Sequence, residues 1–211
     1  YTLAGSVFFL LSIIVMAIIA NTTSIIELDS YYFDANLQKW LWLGMFVSFA
    51  IKVPMWPFHT WLPDAHVEAP TVGSIILAGI LLKVGGYAFL RLSLPILPEA
   101  SIYFSNFIII LSVIAVVYTS FVALAQEDMK KMIAYSSVAH MGYVTAGIFS
   151  LTDEGIKGAV FQMISHGIVS SALFLSIGIL YEQTKSRKIK DYSFLVKSMP
   201  VFSLFFVIIV L

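Results

Sequence analysis

Long apolar runs, separated by short polar breaks, constrain this chain more than any other feature of its sequence. Of its 211 residues, 60% are hydrophobic and 11% are charged, whereas a soluble domain is roughly 45–50% apolar and about 25% charged. An α-helix needs about 20 apolar residues to cross a bilayer. The runs are continuous rather than alternating, which disfavours a transmembrane β-barrel. The sequence therefore predicts an all-α, polytopic transmembrane helical bundle.

Six apolar runs approach or exceed spanning length, and a further run begins at Pro200. The six cover Leu3–Ala20, Leu37–Phe58, Thr71–Leu92, Ile102–Ala125, Met129–Ser150 and Lys157–Tyr181. We predict a single membrane domain over residues 1–211, with six full spans, a truncated seventh and a polar loop over residues 182–198. Because the chain begins with Tyr1 rather than Met, we expect it to be an internal piece of a longer protein or one part of a split subunit.

The basic residues predict the orientation. With one span between successive loops, loops 59–70, 125–131 and 182–198 share a side, and they hold Lys130, Lys131, Lys185, Arg187, Lys188, Lys190 and Lys197. The opposite side holds only Lys39, Arg91 and Lys157. Since cytoplasmic loops carry an excess of Lys and Arg, the first side should face the cytoplasm, or the matrix of an organelle.

Two lysines, Lys52 and Lys83, remain inside predicted spans. An ammonium group at mid-membrane depth costs from a few to more than about ten kcal/mol, so it must be hydrated, paired or used. Lys52 precedes Pro54, which frees carbonyls near Ala50, and such a break is tolerated where it lines a watery cavity. Lys52 could use those carbonyls or snorkel to the nearby loop. Lys83 lies too deep to snorkel easily, which leaves proton exchange or a structural ion pair with a carboxylate.

Two histidines, His140 and His166, lie about midway along their spans and are flanked by hydroxyl and small side chains. Imidazole titrates near neutral pH and exchanges protons at both ring nitrogens. One buried histidine alone would favour a packing role, but two histidines together with two intramembrane lysines favour a proton relay. We expect no metal site here, because the histidines belong to different helices and no third ligand is evident.

The loop HTWLPDAHVEAP superficially resembles a metal-binding cluster, with His59, Asp64, His66 and Glu68. Its Pro63 and its short length favour a surface turn, so we expect no metal there either. The absence of Cys excludes disulfides and thiolate-bound metals or iron–sulfur clusters. A net charge of zero gives no basic surface to suggest nucleic acid as a partner.

Three segments carry a resemblance to a known family. They are KVPMWPFHTWLPDAHVEAPTVGSIILAGILLKVGGYAFLRLSLPILPEA, AQEDMKKMIAYSSVAHMGYVTAGIFS and GAVFQMISHGIVSSALFLSIGILYE. In this order they resemble the antiporter-like membrane subunits of respiratory complex I, over residues 38–183. The resemblance implies an inverted-repeat fold with discontinuous helices, and the Pro54 break agrees with it.

The resemblance also implies roles for individual residues. Lys52 would pair with a glutamate of an earlier helix, Lys83 would be the central relay lysine, and His140 and His166 would link the centre to the second half-channel. The glutamate and the second broken helix should lie outside this chain. No cofactor is expected here, since NADH, FMN, iron–sulfur clusters and ubiquinone would be bound by other subunits.

The implied function is proton translocation, coupled to quinone reduction elsewhere in the enzyme, in the mitochondrial inner membrane or a bacterial plasma membrane. The implied partners are other membrane-arm subunits, including neighbouring antiporter-like ones, membrane lipids, and missing parts of the same subunit as separate chains. The alternatives are a subunit of a multisubunit sodium/proton antiporter, a plastid-type complex I homologue or a membrane hydrogenase. A structural subunit with a decayed proton path is a further class.

Overall fold

The fold is a bundle of helices, seen in a computed structural model that describes residues 1–192 and 195–211. The helices are α1 (Thr2–Ala20), α2 (Ile25–Ser30), α3 (Ala35–Lys52), α4 (Trp61–Glu68), α5 (Thr71–Ile76), α6 (Leu82–Ala88), α7 (Leu94–Ile96), α8 (Pro98–Leu124), α9 (Met129–Phe149), α10 (Asp153–Thr184), α11 (Leu195–Ser198) and α12 (Pro200–Val210). A short 3₁₀ helix covers Ile189–Tyr192. The predicted all-α class is confirmed.

Within the described ranges, four helices are both long and apolar enough to cross a membrane: Thr2–Ala20, Thr71–Ile96, Pro98–Leu124 and Asp153–Thr184. Helices α3 and α9 have 18 and 21 residues but are less apolar. Six full spans and a seventh therefore stay a prediction. Of the polar loop predicted over residues 182–198, residues 193–194 lie outside the described residues.

The second predicted span is interrupted. Helix α3 ends at Lys52 rather than at Phe58, and α4 begins at Trp61, because Pro54 cannot donate a backbone hydrogen bond. The freed carbonyls find partners within the protein: Ala50 O accepts from Met55 N at 2.8 Å and Ile51 O accepts from the Trp61 indole at 2.9 Å. The predicted discontinuous helix is confirmed, whereas the interpretation of loop 59–70 as a surface turn is wrong.

The helix that carries Lys83 is irregular. Its α-helical segments α5, α6 and α7 are joined by π-helical turns at Leu77–Leu81 and Phe89–Ser93, which widen the backbone spiral. Gly85 allows close approach to α3, since a Cβ there would lie 3.1 Å from Phe49 O. Gly79 faces α10 in the same way, against the Ser171 hydroxyl. The widened helix is thus held between α3 and α10.

The loops predicted to share the basic side are in contact with one another. Arg187 donates to Val67 O and Lys130 donates to Ala69 O, both at 2.9 Å, so two cations cover carbonyls at the C-terminal end of α4. Met129 N also donates to Arg187 O at 3.0 Å. Lys130 is only 4% exposed, so this basic residue of loop 125–131 is buried against the end of α4 rather than solvated.

Replacing Arg187 with Ala should lower the thermal stability of the membrane domain, because Val67 O loses a charged donor, a bond worth about 1.5–3 kcal/mol. Lys188→Ala removes an equal charge from the neighbouring, exposed position and serves as the control. Thermal unfolding of both variants checks this. Equal melting temperatures for the two variants would show that the hydrogen bond from Arg187 to Val67 O does not stabilise the domain.

Candidate functional site

Lys83 and His166 meet between the irregular helix and α10. The Lys83 Nζ lies 2.7 Å from His166 Nδ1, and Nζ also donates a hydrogen bond to Ala78 O, five residues earlier in the chain. Ala78 belongs to the π-helical turn, so the widened backbone supplies the carbonyl. Gly167 makes room for the lysine, since a Cβ there would lie 3.6 Å from Lys83 Cε and 3.0 Å from Gly79 O.

His140 continues the cluster from α9. Its ring centroid lies 5.4 Å from that of His166, with the two planes 49° apart. His140 Nδ1 also lies 3.1 Å from Gln162 Nε2 of α10. Lys83, His166, His140 and Gln162 therefore form a row of polar groups across three neighbouring helices.

A polar cavity of about 210 Å³ adjoins the two histidines. Besides the two histidines, the wall of this cavity contains Gln162 and the hydroxyl groups of Ser136, Ser137, Ser165 and Ser170. A buried water needs a polar site with two to four hydrogen-bonding partners, and this wall offers them. Lys83 itself also lines a separate groove of about 460 Å³ with Gly79, Tyr87 and Met163.

Lys52 lies apart from this cluster. It is the last residue of α3 and lines a different cavity, of about 440 Å³, together with Thr2, Ser6 and Leu82. Within the described residues its ammonium group makes no hydrogen bond or ion pair. The structure thus brings Lys83, His140 and His166 together, and leaves Lys52 on a neighbouring helix.

The residues of loop 59–70 are placed differently from the prediction. His59 is 5% exposed and contacts the rings of Tyr118 and Tyr135 edge-on. His66 is fully buried and stacks on Phe174, with ring centroids 4.3 Å apart. Asp64 instead faces Lys131 at 4.0 Å. Over the described ranges, no three His, Asp or Glu side chains are grouped to hold a metal ion.

Sequence reasoning missed the burial of His66 and the place of Gln162 beside His140. His66 has neither ring nitrogen hydrogen-bonded, and its spacing of four from buried Leu62 is the signal that both face inward. Burial, and then the nearby charge of Lys130, lowers the pKa of His66 to about 4. Gln162 precedes His166 by four residues on α10, a spacing that places them on one helix face.

Comparison with known proteins gives the family. A family model described as the transmembrane region of NADH:quinone oxidoreductases and Mrp antiporters matches residues 1–211. The chain belongs to this family. NADH-quinone oxidoreductase subunit M of Rickettsia bellii is 58% identical to this chain over 213 residues, covering 100% of this chain and 43% of that protein.

Two further relatives agree with this assignment. NADH-ubiquinone oxidoreductase chain 4 of Chondrus crispus is 56% identical over 206 residues, which are 98% of this chain and 42% of the relative. A chain of respiratory complex I from Thermus thermophilus superposes with a TM-score of 0.94 at 32% identity, covering 99% of this chain and 45% of that one. The chain thus spans less than half the length of these relatives, and it shares their antiporter-like membrane fold.

Acid should destabilise the fold through His66. Its pKa is about 4 in the folded state against 6.5 when unfolded, so the unfolded state binds the proton first and stability falls as the pH drops from 6.5 towards 4. The loss is up to about 3 kcal/mol. His66→Phe keeps the stacking on Phe174 and should remove this part of the pH dependence.

Thermal unfolding across that pH range is the measurement, with His59→Phe as the comparison. Burial lowers the pKa of His59 as well, but this variant retains His66 and should keep its acid-sensitive component. A His66→Phe protein with the unaltered pH dependence would show that His66 is not the group responsible.

Proposed function

We propose that this chain is part of the proton-translocating membrane subunit of an NADH:quinone oxidoreductase, the subunit known as subunit M or chain 4. The observation that carries the proposal is the contact of 2.7 Å between Lys83 Nζ and His166 Nδ1. The ring centroid of His140 lies 5.4 Å from that of His166. These groups lie on helices that are long and apolar enough to span, or, for His140, packed between two such helices. Within lipid, such costly side chains are typical of proton relays.

In the proposed relay, a proton passes between Lys83 and His166 along their direct contact. In the part of the chain that the structure describes, no hydrogen bond joins the two imidazole rings, so the transfer to His140 uses water in the adjoining polar cavity. Hydroxyls along its wall, such as Ser137 and Ser170, hold that water. Lys83, His140 and His166 carry the proton, and no redox group of this chain takes part.

Lys52 acts on this relay electrostatically. Leu82, next to Lys83 in the chain, lines the cavity that Lys52 occupies, so the two ammonium groups belong to adjacent helix surfaces. Two like charges about 10 Å apart repel by about 1.7 kcal/mol at an effective dielectric of about 20. Charging Lys52 therefore favours release of the proton from Lys83. A carboxylate elsewhere in the whole subunit would control the charge of Lys52 in turn.

The proposal extends to the surroundings. Other membrane-arm subunits, including further antiporter-like ones, and membrane lipids are the partners, and quinone reduction in another part of the enzyme supplies the energy. NADH, FMN, iron–sulfur clusters and ubiquinone would be bound there and not by this chain. The relatives point to a bacterial plasma membrane or a mitochondrial inner membrane, with the lysine-rich loops on the cytoplasmic or matrix side.

A second candidate is a subunit of a sodium/proton antiporter, because the matching family includes the Mrp antiporters. Sodium-dependent proton flux in vesicles that oxidise no NADH would favour this candidate. We expect no such flux, since the groups that meet at the site, Lys83, His166 and His140, offer nitrogen atoms, whereas a sodium ion is held by several oxygen ligands.

Lys83→Ala, made in the full-length subunit within its complex, should abolish proton pumping and coupled quinone reduction while the complex still assembles. The substitution removes the group that contacts both His166 and the π-helical carbonyl of Ala78. Lys157→Ala removes an exposed lysine near the start of α10 and should pump normally. Pumping is measured as quenching of a pH-sensitive dye in vesicles. Normal pumping by an assembled Lys83→Ala complex would overturn the relay.

A further inference from the structure

Gln162 is the polar group of the row that the relay leaves without a role. It lies one turn before His166 on α10 and lines the same polar cavity as both histidines. Its side-chain nitrogen lies 3.1 Å from His140 Nδ1. Amides do not titrate near neutral pH, so Gln162 cannot itself be a proton carrier in the way that histidine is.

The hydrogen bonds of the two histidines divide their ring nitrogens into two kinds. His166 uses Nδ1 towards Lys83, and His140 uses Nδ1 towards Gln162. In the described part of the chain, neither Nε2 has a protein partner. The Nε2 of His140 is therefore the nitrogen that is left to exchange a proton with water.

We propose that Gln162 is a positioning residue that keeps Nδ1 of His140 hydrogen-bonded in both charge states of the ring. A neutral ring that carries its proton on Nε2 accepts a hydrogen bond at Nδ1 from the amide NH₂ group. When the ring carries a proton on Nδ1, either as the neutral tautomer or as the imidazolium, Nδ1–H donates instead to the amide oxygen, and Nε2 gains its proton from water or returns it to water while that hydrogen bond stays in place. A 180° flip of the amide exchanges these two partners.

This assignment rests on the proposed relay and explains why an amide suits the position. A carboxylate there would favour the charged imidazolium, and an apolar side chain would leave Nδ1 without a partner in either state. The titratable groups that face His140 from other helices are Lys83 on α6 and His166 on α10. Helix α8 presents Ser120, and α12 presents Phe206 and Val210. His59, which precedes α4 in the chain, contacts Tyr135 instead.

The test is the pH profile of proton pumping by the intact complex, from pH 6 to 9, for Gln162→Glu and Gln162→Met. We expect Gln162→Glu to move the alkaline limb of the profile upward by about one pH unit or more, because a carboxylate stabilises the imidazolium. Gln162→Met should lower pumping by about tenfold, and most strongly at alkaline pH, because the charged ring loses its acceptor. Gln183→Glu and Gln183→Met, at an exposed position of the same helix, should match the wild type.

Lys83→Ala, measured alongside, separates the two proposals. If it abolishes pumping while the Gln162→Glu profile coincides with that of the wild type, Gln162 does not position His140 and the inference fails. The same conclusion follows if each Gln162 variant lowers pumping by the same factor at every pH, because a merely structural role would have that effect. If Lys83→Ala pumps normally, it is the relay itself that is wrong.

Discussion

The hydrogen bond between Lys83 and His166 is the interaction on which the arrangement of the site depends. An amine amid apolar helices needs acceptors, and it finds two: the ring nitrogen at 2.7 Å and the carbonyl of Ala78. Ala78 lies in the π-helical turn at Leu77–Leu81, whose hydrogen bonds run from residue i to residue i+5, and Lys83 is the fifth residue after it, so the turn and the lysine belong together. Backbone irregularity and buried charge are thus one structural feature.

That feature dictates how closely the neighbouring helices pack. The lysine side chain lies against α10, where Gly167 leaves space for its terminal methylene, while Gly79 lets the two backbones approach. On the opposite face, Gly85 brings the same helix against the end of α3, where Lys52 begins the broken segment. Small residues therefore allow one irregular helix to contact both polar regions.

Sequence reasoning reached the helical class, the break after Lys52 and three of the clustered residues, because each follows from a local rule. Pro54 ends a helix whatever surrounds it, and Lys83, His140 and His166 are conspicuous in apolar runs. The π-helical turns were not predicted, because the sequence LAGIL is as compatible with an α turn as with a π turn. The burial of His66 and Lys130 escaped it as well, because loop length says nothing about what packs above the loop.

The basic residues of the loops have a structural role in addition to their charge. Two cations, Lys130 and Arg187, donate hydrogen bonds to carbonyls at the end of α4. The same helix carries the fully buried imidazole of His66, whose ring nitrogens have no hydrogen bond. Burial of His66 on Phe174 is stable only while the ring is neutral, and the positive charge of Lys130 reinforces that state. Basic residues that predict the orientation from the sequence therefore also hold α4, with its neutral histidine, against the helices that carry the proposed relay.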